Sequence, residues 1–147
     1  MKMLRALIGL FSSRNEYGAR CVTLQGERVK SKAEKIIADY FYRSNIKYEY
    51  EKVAKTHAWI FSKEISRPDF YLQDYDVYVE YWGLLDVENR RKRSEYQHSM
   101  RWKMAQYHKN KIKFVSLYPS NLKNLDWIFR TKFREVTGIT LPKNEKA

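Results

Sequence analysis

A charged residue inside a strand-like run is the feature of this sequence that most constrains its fold. Tyr75 to Gly83 reads Tyr-Asp-Val-Tyr-Val-Glu-Tyr-Trp-Gly, and β-branched and aromatic residues that end at a glycine predict a β-strand over 75–82. Glu80 lies within that run. A carboxylate that is buried in a sheet without a partner is strongly destabilising or gives up its charge. The fold must therefore provide Glu80 with a partner or a role.

A second carboxylate precedes this strand. Asp69 follows a proline in Arg67-Pro68-Asp69-Phe70, about one strand-length earlier in the chain. Two acids carried by adjacent strands are the oxygen ligands that a hard divalent cation needs. The sequence therefore predicts a site for Mg²⁺ or Mn²⁺ at Asp69 and Glu80, with the backbone carbonyl of Tyr81 as a further ligand.

The charge balance restricts the kind of partner. The 147 residues predict a single domain, and their 44% hydrophobic share is ample for one core. A net charge of +12 favours a polyanionic partner, with nucleic acid first and an anionic membrane second. A soluble protein with a lysine-rich surface is the alternative. The 12 Tyr and 4 Trp favour nucleic acid, because they offer stacking surfaces, and DNA is the expected partner.

The remaining metal-binding residue types are sparse. Cys21 is the only cysteine, which excludes an internal disulfide and a multi-cysteine zinc site and fits a reducing, cytoplasmic setting. His57, His98 and His108 show no metal-ligand spacing. No run approaches 18 apolar residues, so the sequence predicts no transmembrane helix and no membrane partner.

The first residues form a separate pattern. Apolar residues at helical spacing predict a short amphipathic helix over 3–12, and residues 1–27 are assigned to it and a connecting segment. Its apolar stretch is interrupted by Arg5 and is too short for a signal peptide. The helix is expected to pack on the domain or on a second copy, which leaves a homodimer open. Binding to a membrane surface is the minority alternative.

Residues 28–138 are assigned to the core domain and 139–147 to a basic tail. The core is expected to contain helices over 31–44 and from 86 to 108, and a last helix that is capped by Ser120 and ended by Gly138. Strands are expected over 47–53, 57–62, 75–82 and 111–118, with a polar turn over 63–66. The strand at 111–118 follows a long helical crossover and is expected to run parallel to a neighbour. The fold class is therefore α/β, with a mixed central sheet flanked by helices.

Two helical residues are candidates for the same site. Glu34 has two open interpretations, because it can close a capping box with Ser31 or point along the core edge toward Asp69 and Glu80. Lys103 shares an inward helical stripe with Tyr96, Met100 and Tyr107. It can orient an attacking water or neutralise charge on a phosphate, although lysine can also extend out of such a stripe to solvent.

These residues resemble the PD-(D/E)xK nucleases of the restriction-endonuclease-like superfamily. The matching positions are Glu34 on the first helix, Pro68-Asp69, and Glu80 in Val79-Glu80-Tyr81-Trp82-Gly83, within a resemblance that covers about residues 28–137. The resemblance implies an αβββαβ core and a Mg²⁺- or Mn²⁺-dependent deoxyribonuclease of endonuclease type. It implies catalytic roles for Glu34, Asp69, Glu80 and Lys103.

One position departs from the family pattern. The family's lysine stands two residues after the second acid, where this sequence has Trp82. Some family members carry the basic group on the following helix, which the position of Lys103 resembles, with Arg101 as a reserve candidate. The departure also supports a second hypothesis, a non-catalytic nucleic-acid-binding module on a degenerate nuclease fold.

Overall fold

The computed structural model describes residues 21–55, 64–86 and 88–142. Its helices are α1 (Lys32–Arg43), α2 (Arg90–Lys109) and α3 (Leu125–Thr137), with short 3₁₀ helices at Gly83–Asp86 and Pro119–Asn124. The strands in these described ranges are β1 (Glu49–Tyr50), β2 (Ala54–Lys55), β3 (Glu64–Ser66), β4 (Phe70–Leu72), β5 (Val77–Tyr81) and β6 (Phe114–Leu117).

The main sheet has four strands in the order β1-β4-β5-β6. The pairs β1/β4 and β4/β5 are antiparallel, with Phe70 opposite Val79 in the second of them. The pair β5/β6 is parallel, with Glu80 opposite Ser116, and α2 forms the crossover between the two strands. The predicted parallel strand is confirmed, and the chain is a mixed α/β protein.

One face of this sheet carries the main core. Alternate residues of β5, Val77 and Val79, are fully buried on that face because successive side chains point to opposite sides of a strand. Helices α1 and α3 cover it with their apolar stripes. The core residues that they contribute are Ile37, Ala38, Phe41, Leu125, Phe129 and Phe133.

The opposite face is covered more thinly. Tyr78 of β5 and Phe114 of β6 point to that side and pack against α2 through Tyr107, which is the one fully buried residue of that helix in a cluster that includes Ala54. Glu80 follows Tyr78 by two residues and therefore points to the same side. The helix α2 and the carboxyl end of β5 thus enclose the carboxylate.

The helix termini explain where α1 and α3 begin and end. Ser31 accepts a hydrogen bond from the Glu34 N–H at 3.1 Å as the N-cap of α1, which confirms the predicted helix. The predicted cap at Ser120 is wrong, because Pro119 begins a 3₁₀ helix and α3 starts only at Leu125. Gly138 ends α3 as predicted, with a φ of 75° that suits glycine.

Several predicted strand boundaries are wrong. The polar turn predicted over 63–66 contains β3, which pairs with β2 in a separate two-stranded sheet. The strand predicted over 47–53 is confined to β1, because Glu51 takes a left-handed φ of 52°. Lys111 does the same at 55°, so the strand predicted over 111–118 is confined to β6. The strand predicted over 57–62 lies outside the described residues.

Part of the predicted basic tail packs against the domain. Leu141 is only 6% exposed and belongs to the main core. Arg130 donates hydrogen bonds to the carbonyls of Leu141 and Pro142 at 3.1 and 2.9 Å. The helix predicted over 3–12 and residues 143–147 lie outside the described residues. Within the described ranges, none of the helices combines the length and the apolar character needed to cross a membrane.

Candidate active site

The buried carboxylate of Glu80 accepts hydrogen bonds from two donors. The residue is 3% exposed, and its Oε1 accepts a hydrogen bond from Lys103 Nζ at 3.0 Å and another from the Tyr107 hydroxyl at 2.6 Å. Tyr107 is itself hydrogen-bonded to the buried Ser66 hydroxyl. The charged and hydrogen-bonded partners explain how a carboxylate is accommodated inside the strand.

Asp69 lies beside Glu80 across the strand pair. It directly precedes β4, and since Phe70 pairs with Val79, the same register places Asp69 opposite Glu80 on one face. Its Oδ2 accepts a hydrogen bond from the Tyr81 N–H at 2.7 Å. The N–H and C=O of a strand residue project to the same side, so the Tyr81 carbonyl also faces this region.

The electrostatics of the site are dominated by acids. Desolvation by burial, followed by repulsion from Glu80 and Glu34, raises the pKa of Asp69 well above its usual value. The Tyr81 N–H and the Lys103 ammonium act in the opposite direction without cancelling that shift. Three carboxyl groups and the Lys103 ammonium group therefore interact electrostatically at the site.

Glu34 combines the two roles that the sequence left open. Its N–H bonds to Ser31 while its carboxylate accepts hydrogen bonds from the Ser31 hydroxyl at 3.1 Å, from the Lys30 N–H at 3.0 Å and from the Tyr50 hydroxyl. The same carboxylate contributes to the raised pKa of Asp69. Glu34 thus closes the start of α1 and lies at the margin of the acidic group.

Trp82 occupies the position at which the family pattern has lysine. It is 2% exposed, its ring centroid is 6.4 Å from that of Tyr96, and Lys103 Nζ lies 5.6 Å from the Trp82 ring centroid. The indole therefore forms an apolar wall beside the ammonium group. Arg101, the reserve candidate for the basic group, is exposed on α2 and points away from Lys103 at the helical period.

The oxygen atoms of the site can be compared with the ligands that Mg²⁺ requires. The hydrogen bonds from Lys103 and Tyr107 reach Glu80 Oε1, and the one from the Tyr81 N–H reaches Asp69 Oδ2. The described ranges contain no group of three or more His, Cys, Asp or Glu side chains that could hold a metal ion. Mg²⁺ is often held by one or two carboxylates while it keeps several waters. Asp69, Glu80 and the Tyr81 carbonyl fit that mode of binding, and a cation would relieve the repulsion among the carboxyl groups.

Tyr107 is a site residue that the sequence patterns did not assign to the site. Tyr107 donates to Glu80, and its pKa is raised by burial and then by the charge of that carboxylate, so the hydroxyl remains a donor. The signal was present in the sequence, because Tyr107 follows Lys103 by one helical turn on the same stripe. Tyr50 and Ser66 carried no comparable signal, since their contacts join distant parts of the chain.

Comparison with known proteins found no family model, no curated protein and no solved structure that matches this chain.

We expect Asp69→Asn to stabilise the metal-free protein at neutral pH. The raised pKa of Asp69 means that the folded protein binds its proton more tightly than the unfolded chain. Wild-type stability therefore falls as the pH rises from about 4 through that raised pKa, and the variant lacks this loss. Each unit of pKa difference corresponds to about 1.4 kcal/mol. Urea unfolding in EDTA between pH 4 and 8 measures the difference, and a gain that shrinks with rising pH would contradict the assignment.

Proposed function

We propose that this protein is a metal-dependent nuclease that hydrolyses phosphodiester bonds in DNA. The observation that carries the proposal is the buried Glu80 carboxylate at the end of β5, which contacts the Lys103 ammonium at 3.0 Å with Asp69 on the neighbouring chain segment. Phosphodiester hydrolysis requires acidic residues that can bind a metal ion, and a further positive group, here Lys103, close to them. The net charge of +12 supports a polyanionic substrate.

The architecture supports the resemblance to the PD-(D/E)xK nucleases. A helix that bears Glu34 precedes the strands, Asp69 directly precedes β4 and Glu80 lies in the neighbouring β5, and α2 crosses to the parallel strand β6. This order agrees with the αβββαβ core that the resemblance implies. The basic group comes from α2, because Lys103 contacts Glu80 and Trp82 fills the family's lysine position.

Each residue has a distinct role in the proposal. Asp69, Glu80 and the Tyr81 carbonyl would hold Mg²⁺ or Mn²⁺, and the bound cation would supply an activated water and stabilise developing charge. Lys103 places a second positive charge beside the reacting phosphate. Tyr107 orients the Glu80 carboxylate, and Glu34 adds to the local negative charge that attracts the cation.

A plasmid assay tests the proposal directly. Supercoiled DNA is incubated with the protein and Mg²⁺ or Mn²⁺, and conversion to nicked or linear forms is followed on a gel. We expect conversion that stops when EDTA is added. Folded protein that leaves the plasmid intact with both metals over a range of salt would contradict the nuclease.

We expect Lys103→Met to lower the cleavage rate by roughly 10²–10³-fold, because the variant lacks the fixed positive charge beside the phosphate. Single-turnover cleavage at saturating protein measures the loss. Arg101→Met is the matched control, since it removes one positive charge two residues away on the exposed side of α2. Equal losses in the two variants would show that Lys103 acts only through net charge.

A second candidate function is a non-catalytic nucleic-acid-binding module. It is favoured by Trp82, whose buried indole stands where the family has a catalytic lysine. This candidate predicts DNA binding that weakens steeply with salt and no metal-dependent cleavage. The plasmid assay combined with a binding titration separates the two candidates.

A further inference from the structure

The first turn of α2 carries positive charge that the candidate site does not use. Arg90, Arg91, Lys92 and Arg93 are the first four residues of the helix, and that turn contains no acidic residue. Arg91 pairs with Glu95 at 3.1 Å. Arg90, Lys92 and Arg93 form no ion pair with any residue in the described ranges. We call these three residues the basic anchor.

The basic anchor lies at the end of the helix where positive charge is least favourable. The N-terminal end of a helix carries a partial positive charge, so cations there are repelled, and four in succession concentrate the repulsion. Asn89 caps the helix through its side chain, which accepts a hydrogen bond from the Lys92 N–H at 3.1 Å. The three anchor side chains therefore contribute neither capping nor ion pairing within the described residues, and an external anion would relieve their repulsion.

Lys92, one residue of the anchor, is aligned with the candidate site along one side of α2. Lys92, Tyr96, Ser99 and Lys103 recur at the spacing of a single helical stripe. Lys103 contacts Glu80, and Tyr96 contacts Trp82, which follows the end of β5. The helix thus runs antiparallel to β5, and its first turn projects beyond the sheet on the side where Trp82 leaves it. Lys103 follows Lys92 by eleven positions, which is roughly 16 Å along the axis of α2.

We propose that the basic anchor binds the DNA backbone several phosphates away from the bond that is cut. This inference rests on the proposed function, because it takes Lys103 as the position of the reacting phosphate. One strand of B-form DNA advances about 3.4 Å along the duplex axis per phosphate, so a separation of roughly 16 Å lies beyond the phosphates next to the cut bond. The anchor thereby sets the direction in which the duplex leaves the site.

The test compares two variants with the same change in net charge. R90Q/K92Q/R93Q removes the anchor, and K109Q/K111Q/K113Q removes three exposed lysines at the opposite end of α2 and in the following turn. Binding of a 20-base-pair duplex is measured by fluorescence anisotropy in EDTA over a range of salt. Loss of the anchor should reduce the slope of log affinity against log salt by roughly 2–3, and the control should reduce it by less than about 1.

Thermal unfolding separates a binding role from a structural one. Removal of the anchor should raise the Tm by roughly 3 °C or more while it weakens binding, because the repulsion at the helix end is relieved. The charge-conserving variant R90K/K92R/R93K should bind like the wild type. The anchor alone would be overturned if the anchor and control variants had equal slopes of log affinity against log salt. It would also be overturned if the charge-conserving variant bound as weakly as R90Q/K92Q/R93Q. A wild-type protein that binds no DNA would overturn both the anchor and the proposed function.

Discussion

Glu80→Gln is expected to abolish metal-dependent cleavage while the protein stays folded and binds DNA. Glutamine keeps a side-chain oxygen that can accept the hydrogen bonds from Lys103 and Tyr107. It lacks the negative charge that a divalent cation requires from its ligands. We therefore expect the rate to fall by roughly 10³-fold or more, because metal activation of water and stabilisation of the phosphate are lost together.

Three measurements define the Glu80→Gln experiment. Plasmid cleavage gives the rate, anisotropy in EDTA gives DNA binding, and thermal unfolding with and without Mn²⁺ reports metal binding. Mn²⁺ should raise the Tm of the wild type and leave that of the variant unchanged, since ligand binding stabilises only a competent folded state. Glu135→Gln, an exposed position on α3, is the matched control and should cleave like the wild type. A Glu80→Gln protein with wild-type cleavage would remove Glu80 from the metal site.

Phe41→Ala is expected to lower the free energy of unfolding by about 3–5 kcal/mol. The Phe41 ring extends from α1 and is fully buried against the sheet and α3. Its centroid lies 5.1 Å from that of Phe129, 5.5 Å from that of Phe70 and 5.8 Å from that of Tyr48. The substitution leaves a cavity at the point where the three layers meet, so the loss combines apolar transfer with broken ring contacts.

Urea unfolding followed by circular dichroism measures the effect of Phe41→Ala. Trp127→Ala is the matched control, because it removes a larger aromatic ring from a helix but at a position that is 64% exposed. The control should change stability by less than about 0.5 kcal/mol. Similar losses in both variants would show that the ring cluster around Phe41 is not the main core.

Local patterns predicted the long elements well and the short ones poorly. The helix from Lys32 to Arg43 and the parallel strand β6 follow from side-chain periodicity and from chain length between elements. The strand Glu64–Ser66 and the 3₁₀ helix before α3 did not follow from pattern. Two- and three-residue strands carry too few side chains for a periodicity, and their formation depends on a distant partner.

The sequence by itself determined that a carboxylate would lie inside an apolar strand and that a lysine would share an inward helical stripe. Those properties depend on neighbours within a few residues. Only the tertiary structure decided that Asp69 would lie opposite Glu80, that Lys103 and Tyr107 would bond to the same oxygen, and that Glu34 would act on Asp69 while capping its own helix. Strand register, helix rotation and burial set those distances and pKa shifts, and each depends on how distant segments pack together.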